Sequence, residues 1–213
     1  MATISNKAQA MPASAIRKLV PLADAAKKQG VKVYHLNLGQ PDIKSPKCAL
    51  DAVKNYGMEN VSYSHSAGLM ELRKGLVEKY YKKIGIDINV DELIVTVAGS
   101  ESVNLALEIT CNPGDEVIVL EPFYTNYNTF AFMNGLTLKA IPTDIRNGFQ
   151  IPPIEEFEKA ITDKTKAILV CNPGNPTGTQ YSKESMLALG EIARKHDLFL
   201  LSDEVYREFC YTD

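Results

Sequence analysis

From about residue 91 onward, short apolar runs alternate with segments whose apolar residues recur at helical spacing. This alternation is typical of an α/β fold built on a mostly parallel sheet. Two of the runs, AILVC and LFLLS, are apolar on both faces, as strands covered by helices on both sides must be. We therefore predict a doubly wound sheet with helices on both faces. The predicted strands are 93–97, 117–120, 136–141, 167–171 and 198–202, and the predicted helices are 100–111, 123–133, 154–161 and 183–196.

The part of the chain before residue 91 is mostly helical in pattern. A helix that follows Ser14 has apolar residues at helical spacing and ends at Gly30. Pro21 interrupts this pattern, which allows a kink or a late start. Further helices are predicted over 46–57 and 69–83, and a short strand is predicted over 33–38. An N-terminal helical segment is therefore expected ahead of the sheet.

The composition excludes several classes of protein. With 213 residues, 45% of them hydrophobic, and a net charge of −3 from 23 basic and 26 acidic residues, the chain is neither disordered nor collagen-like. It has no basic stripe, so we expect no nucleic-acid partner. It also has no apolar run of about 18 residues, so we expect no membrane span. The N-terminus lacks the apolar stretch of a secretory signal.

The spacing of cysteines and histidines adds two expectations. The four cysteines lie far apart without a Cys-x-x-Cys pair, which predicts reduced, mostly buried thiols in a cytoplasmic protein. The three histidines are scattered and have no metal-binding spacing, so we predict no metal site.

Small residues follow the first predicted strand of the sheet. Ala98, Gly99 and Ser100 come directly before a predicted helix, where small side chains let an anion approach the first-turn amides and the positive end of the helix dipole. An ordinary serine N-cap is an equally good interpretation of this segment alone. The segment has neither the GxGxxG nor the GxxxxGK[ST] spacing, so it does not predict a dinucleotide site or a P-loop.

Aromatic and constrained residues follow two further strands. The segment EPFYTNY, which includes Tyr124, offers a ring that either stacks on a planar ligand or packs a helix against the sheet. The segment NPGNPTG predicts a rigid, irregular loop because it has two Asn-Pro steps and two glycines within seven residues. In that loop, the amide of Asn175 can bond a phenolic oxygen or a carboxylate.

A carboxylate follows the last predicted strand. Asp203 comes directly after a buried run, so it requires a cationic or hydrogen-bonding partner, and neither Ser202 nor Val205 carries a charge. One interpretation is that Asp203 caps a turn. The other is that its carboxylate points into the crevice toward a protonated ring nitrogen.

Taken together, these motifs resemble the N-terminal half of a pyridoxal-phosphate-dependent class I aminotransferase of fold type I, nearest to the aspartate aminotransferase branch. The resemblance extends over almost the whole chain, and NPGNPTG with SDEVY at this spacing is its most specific part. The matching segments are LNLGQPD at 36–42, YSHSAGLMELR at 63–73, VTVAGSES at 95–102, EPFYTNY at 121–127, NPGNPTG at 172–178 and SDEVY at 202–206.

The resemblance implies a role for each matched residue in binding pyridoxal 5'-phosphate. Ala98, Gly99 and Ser100 match the loop that binds the cofactor phosphate. Tyr124 matches the aromatic residue that stacks on the pyridine ring. Asp203 matches the aspartate that pairs with the pyridinium nitrogen. The ring hydroxyl oxygen is bonded by the residues that match Asn175 and Tyr206.

The resemblance also implies substrate and subunit contacts. Gly39 matches a loop glycine near the substrate α-carboxylate, and Asn175 is expected to contact the substrate as well. Tyr63 matches a tyrosine that reaches the partner's phosphate, which implies a homodimer. Family members have cis peptides before the prolines that match Pro122 and Pro176. Residues 1–45 are expected to belong to an incomplete small domain and residues 46–213 to a truncated cofactor-binding large domain.

The implied activity is transfer of an amino group from an amino acid, aspartate being favoured, to a 2-oxo acid. The catalytic Schiff-base lysine and the arginine that binds the substrate carboxylate are expected beyond Asp213. No catalytic residue is therefore assigned within the chain, which we expect to bind the cofactor weakly and without covalent attachment, and to be inactive alone.

Three other functions stay open at this point. One is another fold-type I pyridoxal enzyme, such as a β-lyase or a cyclopropane-carboxylate synthase, whose motifs here would be the same. Another is a non-catalytic sensor domain that binds pyridoxal phosphate, although such regulators carry an N-terminal DNA-binding segment for which this chain has little room. A generic dinucleotide-binding domain is the third, and it leaves NPGNPTG without a purpose.

Overall fold

The structure is a computed structural model, and it describes residues 2–12, 14 and 16–211. The chain divides into two compact units, which are described separately below. The first unit consists of Met1–Lys18 and Ala98–Asp213, and the second of Leu19–Val97. The predicted domain boundary after residue 45 refers to the longer family fold, and it stays a prediction. The helices are, in chain order, α1 (Asn6–Ala10), α2 (Val20–Lys28), α3 (Lys47–Lys54), α4 (Met70–Gly75), α5 (Gly99–Thr110), α6 (Asn126–Asn134), α7 (Ile154–Ala160) and α8 (Lys183–Lys195).

The first unit contains a four-stranded sheet whose neighbouring strands are all parallel. The strands are β1 (Glu116–Glu121), β2 (Thr137–Pro142), β3 (Thr165–Cys171) and β4 (Phe199–Asp203), and their order is β2-β1-β3-β4. The chain moves outward from β1 to β2 and then returns to the other side of β1. In sheets of this kind, the crevice where the strand order reverses is where ligands bind, at the carboxyl ends of the strands.

Each face of the sheet has its own hydrophobic core, because successive side chains of a strand point to opposite faces. In β1, Val117 and Val119 belong to the cluster that includes Leu107 of α5 and residues of α6. Ile118 of the same strand belongs to the other cluster, with Phe157 of α7 and residues of α8. The predicted doubly wound α/β fold, with helices on both faces of a parallel sheet, is therefore confirmed.

The second unit consists of helices and irregular segments, and Arg73 connects two of them. Arg73 is 3% exposed and follows the first turn of α4. Its Nε donates to the carbonyl of Leu93 at 2.9 Å, and its Nη2 donates to the carbonyl of Val90 at 2.5 Å. The amide of Val95 donates to the carbonyl of Ala67 at 3.0 Å. These bonds hold the segment 90–95 against the segment that contains α4.

Two predicted strands are wrong. Neither 33–38 nor 93–97 forms a strand in the described part of the chain. The carbonyl of Leu93 is bonded to Arg73 and the amide of Val95 to Ala67, so these groups are not available to a strand ladder. Many side chains of both segments are also exposed, including Leu36, Ile94 and Val97, so these apolar residues are not buried in a sheet.

The predicted helices all occur, with shifted or irregular ends. The helix after Ser14 begins late, because Pro21 lies in the first turn of α2. Pro122 follows β1, and α6 begins only at Asn126 instead of residue 123. The helix predicted over 69–83 is α4 followed by a π turn at Leu76–Tyr80 and a 3-10 turn at Tyr81–Ile84. No helix within the described ranges is long and apolar enough to span a membrane.

The four cysteines are free thiols, as predicted. The expectation that most of them are buried is wrong for Cys48 and Cys210, which are exposed. Cys48 lies on α3, a helix with no buried residue within its own unit, and Cys210 follows the last described helical turn.

Candidate functional site

A pocket of about 200 Å³ lies in the first unit. Its walls come from the beginning of α5, the segment after β1, and the carboxyl ends of β3 and β4. The lining includes seven residues that the sequence singled out, Ala98, Gly99, Ser100, Tyr124, Asn175, Asp203 and Tyr206, and four that it did not, Val103, Phe130, Cys171 and Val205. Gly39 and Tyr63 belong to the second unit, where both are exposed, and their roles stay predictions.

The beginning of α5 presents backbone donors at this pocket. Ala98 is the N-cap residue and makes no side-chain cap bond, so the interpretation of this segment as a serine N-cap is wrong. The amides of Glu101 and Ser102 donate to the Ala98 carbonyl, at 3.0 and 3.3 Å. Helix geometry leaves the amides of Gly99 and Ser100 as first-turn donors without an intrahelical acceptor. A Cβ at Gly99 would lie 3.0 Å from Cγ1 of Val205, so glycine keeps this end of the pocket open.

Asp203 lies at the carboxyl end of β4, and both of its carboxylate oxygens accept hydrogen bonds. Oδ1 accepts from the amide of Val205 at 3.3 Å, which is the turn-capping arrangement considered above. Oδ2 accepts from the hydroxyl of Tyr127 at 2.7 Å. The polar partner that the sequence required but did not reveal is therefore Tyr127, which lies in the first turn of α6.

Tyr127 is fixed in place by its surroundings. Its side chain is 1% exposed. Its ring stacks on Phe123, with a centroid distance of 6.2 Å and an interplanar angle of 11°, and meets Tyr124 edge to face at 5.6 Å and 88°. Burial, followed by the hydrogen bond to Asp203, raises the pKa of the Tyr127 hydroxyl far above its ordinary value. The hydroxyl therefore keeps its proton and donates a hydrogen bond to the carboxylate.

The segment EPFYTNY and the rest of α6 pack against the sheet, and the segment also contributes one residue to the pocket. Stacking of Tyr124 on a planar ligand stays a prediction. Tyr127 and Phe130 pack α6 against the sheet, as members of its hydrophobic core. Tyr124 lines the pocket, and its hydroxyl accepts from Nδ2 of Asn126 at 2.8 Å. The aromatic residue that the sequence proposed for stacking is thus oriented by a bond at its far end.

The loop after β3 is closed by hydrogen bonds across its base. The amide of Gly174 donates to the carbonyl of Thr179 at 2.8 Å, and the amide of Gly178 donates to the carbonyl of Gly174 at 2.8 Å. The hydroxyl of Thr179 donates to the carbonyl of Gly148 at 2.7 Å. These bonds make the loop rigid, as its proline and glycine content predicted. The peptide bonds before Pro122 and Pro176 are cis, as the resemblance implied, and so is the bond before Pro173.

The loop presents Asn175 to the pocket. Nδ2 of Asn175 donates to the hydroxyl oxygen of Tyr206 at 3.1 Å, so the two groups expected to share one ligand oxygen are already bonded to each other. Tyr206 belongs to the turn that follows β4.

Cys171 is a pocket residue that the sequence analysis treated only as a reduced thiol and did not place in the site. It ends β3, and its Sγ donates to the carbonyl of Pro173 at 3.3 Å. Burial, followed by the charge of Asp203, raises the pKa of this thiol. A neutral thiol in this position adds no charge beside Asp203. In the described part of the chain, no group of three His, Cys, Asp or Glu side chains could hold a metal ion.

The fold and the site together define the class of protein. The sequence profile described as "Aminotransferase class I and II" matches residues 31–213. The chain belongs to the class I and II aminotransferase family, whose enzymes depend on pyridoxal phosphate.

Individual relatives agree with this assignment. The chain is 35% identical over 212 residues to the aspartate/prephenate aminotransferase of Thermus thermophilus. The matched region covers 99% of this chain and 55% of that protein. It superposes on the aspartate aminotransferase of Thermotoga maritima with a TM-score of 0.90 at 33% identity, covering 99% of this chain and 56% of the other. With the alanine aminotransferase of Pyrococcus furiosus the TM-score is 0.86 at 36% identity, with 96% and 52% covered. The chain therefore spans about half the length of the relatives it matches.

The pocket residues have the chemistry that pyridoxal phosphate requires. An anionic phosphate fits the two amide donors at the beginning of α5, where the missing side chain of Gly99 leaves space next to Val205. A flat pyridine ring fits beside Tyr124, with a carboxylate available for its nitrogen and hydroxyl and amide groups available for its oxygen.

Proposed function

We propose that this chain supplies the phosphate- and ring-binding half of a pyridoxal phosphate site in an enzyme that transfers an amino group from an amino acid to a 2-oxo acid. The observation that carries the proposal is the pocket, in which α5 amides, Tyr124, Asn175 with Tyr206, and Asp203 line one cavity of about 200 Å³. When bound, the cofactor supplies an electron sink for the charge left at the substrate Cα.

Each residue has a task in this proposal. Gly99 and Ser100 hold the phosphate through their amides, and Tyr124 keeps the ring flat. Asp203 holds a proton at the ring nitrogen, where a nearby negative charge favours the protonated form. Asn175 and Tyr206 bind the ring oxygen, and Asn175 also faces the substrate.

Equilibrium binding tests the cofactor half of the proposal. Pyridoxal phosphate is titrated into the purified chain and into Asp203→Asn, and binding is followed by the absorbance of the cofactor. Loss of the carboxylate is expected to weaken binding by about tenfold, the effect of losing one charge-assisted hydrogen bond. Glu204→Gln is the matched control, because Glu204 is the next acid along the chain and bonds Ser202 and Arg207 outside the pocket lining. Equal affinity in all three proteins would contradict the assignment of Asp203.

We also propose that this chain binds the cofactor without attaching it covalently and does not transaminate alone. Among the described residues that line the pocket, none is a lysine. Borohydride reduction of the cofactor complex is therefore expected to trap no lysine adduct in the pocket. A stoichiometric adduct there, found by peptide mapping, would refute this part of the proposal.

Aspartate is the amino donor that we propose first, with 2-oxoglutarate as the acceptor. The support is that the Thermus and Thermotoga relatives are named for activity on aspartate, whereas the Pyrococcus relative is named for alanine. Rates with aspartate, alanine and phenylalanine, measured on the full-length gene product, test the choice. A higher kcat/KM for alanine or phenylalanine would reject aspartate.

The last part of the proposal is a cytoplasmic homodimer in which Tyr63 reaches the partner's phosphate. Tyr63 is fully exposed, and the four cysteines are free. Light scattering of the full-length gene product is expected to give twice the mass of one chain, and Tyr63→Phe is expected to weaken cofactor binding without changing that mass. A monomer with an unchanged affinity would exclude this arrangement.

A further inference from the structure

We propose that Tyr127 is a positioning residue for Asp203, acting through its buried hydroxyl on one carboxylate oxygen. The proposal rests on the proposed function, in which Asp203 faces the ring nitrogen of pyridoxal phosphate. Tyr127 itself is not part of the pocket lining, so its effect on the cofactor passes through Asp203.

The contact is short and joins two distant parts of the chain. The Tyr127 hydroxyl lies 2.7 Å from Oδ2 of Asp203, and 76 positions separate the two residues in sequence. Tyr127 belongs to the first turn of α6 on one face of the sheet, and Asp203 ends β4. The bond therefore ties the orientation of the carboxylate to a helix that is packed firmly against the sheet.

The ring that carries the Tyr127 hydroxyl is held in one position. The ring of Tyr127 is 1% exposed and is held between Phe123 and Tyr124. In this fixed position the hydroxyl donates to the Asp203 carboxylate, and the Cys171 thiol is its other polar neighbour. Oδ1 of Asp203 is held separately by the amide of Val205, so rotation of the carboxylate would break two bonds at once.

The same tyrosine also contacts the aromatic residue proposed to stack on the ring. Tyr124 meets the Tyr127 ring edge to face at 5.6 Å. One buried side chain thus fixes both the group that faces the ring nitrogen and the group that faces the ring plane. Their relative position, which a planar ligand must match, is set before any ligand binds.

Tyr127→Phe tests this inference, because it removes only the hydroxyl and keeps the packed ring. Tyr181→Phe is the matched control, since Tyr181 is a half-buried tyrosine whose pKa is likewise raised by burial, and in the described part of the chain no hydrogen bond joins its hydroxyl to Asp203. Tyr127→Phe is expected to weaken pyridoxal phosphate binding by about tenfold, and Tyr181→Phe by less than about twofold.

A double-variant comparison separates positioning from general packing. In an Asp203→Asn background, Tyr127→Phe is expected to cause no further loss of affinity, because the carboxylate that it orients is gone. An equal loss in both backgrounds would show that Tyr127 acts on the fold and not through Asp203, and would overturn the proposal.

A measurement without cofactor makes the test independent of the proposed function. In protein labelled with carbon-13 at aspartate carboxyl groups, Tyr127→Phe is expected to shift the resonance of Asp203, and Tyr181→Phe is expected to leave it unchanged. An unmoved Asp203 resonance in Tyr127→Phe refutes the positioning role even if the cofactor binds. If the unsubstituted chain binds no pyridoxal phosphate but the resonance shifts, the cofactor proposal fails and the Tyr127–Asp203 contact stands.

Discussion

Replacing Arg73 by methionine tests what holds the second unit together. Arg73 donates to the carbonyls of Val90 and Leu93, and methionine replaces the unbranched stem of the side chain but is shorter and offers no donor. A buried polar group left without its partner costs about 1–3 kcal/mol. Both carbonyls are only half-buried, so water replaces part of each bond, and the expected loss in the free energy of unfolding is about 2–4 kcal/mol.

The assay follows urea unfolding by circular dichroism, because the chain has no tryptophan, and locates the effect by amide hydrogen exchange. The amide of Val95 is expected to lose protection, since its bond to Ala67 depends on the segment that Arg73 holds. Asp91→Asn is the control. Asp91 is 96% exposed and lies 3.5 Å from Arg73, and an exposed ion pair of this kind contributes less than about 0.5 kcal/mol. A change below about 0.5 kcal/mol for Arg73→Met would refute the reasoning.

Three further predictions concern the first unit. Gly99→Val would bring a side chain against Val205 at the phosphate end of the pocket. Pyridoxal phosphate binding, measured by absorbance titration, is therefore expected to weaken by about tenfold. Unchanged binding would contradict the placement of the phosphate. Phe157→Ala removes a fully buried ring and is expected to lower the free energy of unfolding, measured with urea, by about 3–5 kcal/mol. A decrease of less than about 1 kcal/mol would be inconsistent with the core described above. The Lys195 ammonium, which bonds Glu158, lowers the pKa of that carboxyl. The stabilisation is therefore complete above the unfolded value of about 4.3 and is lost as the pH falls through the lowered folded value. In thermal melts, Glu158→Gln is expected to lower Tm at pH 6, and the difference from the unsubstituted chain is expected to shrink as the pH falls. A difference that does not change with pH would exclude this cause.

The sheet could be predicted from the sequence because strands buried on both faces appear as short, continuous apolar runs. The run 167–171 is apolar throughout, and it forms most of β3. The same pattern misled at 93–97, since apolarity shows that a segment avoids water but does not show which groups its backbone bonds. There, the carbonyl of Leu93 accepts a hydrogen bond from the side chain of Arg73, which lies 20 residues earlier in the sequence.

The site shows a similar limit. Residues that end strands could be found in order along the chain, because parallel strands bring their carboxyl ends to one edge of the sheet. The need of Asp203 for a polar partner was also visible. The identity of that partner was not, because Tyr127 belongs to a different element and only the packing of α6 on the sheet brings it within 2.7 Å. Its place three residues after Tyr124, at the beginning of the predicted helix, was the available clue.

The pocket residues are spread along the sequence, and this has a consequence for folding. Its lining extends from Ala98 to Tyr206, so no fragment shorter than the complete sheet can assemble it. A ligand that recognises only the finished arrangement, as proposed for pyridoxal phosphate, stabilises it by mass action, and the stabilisation grows with the logarithm of its free concentration. If the proposal holds, cofactor added during refolding is expected to raise the yield of folded chain.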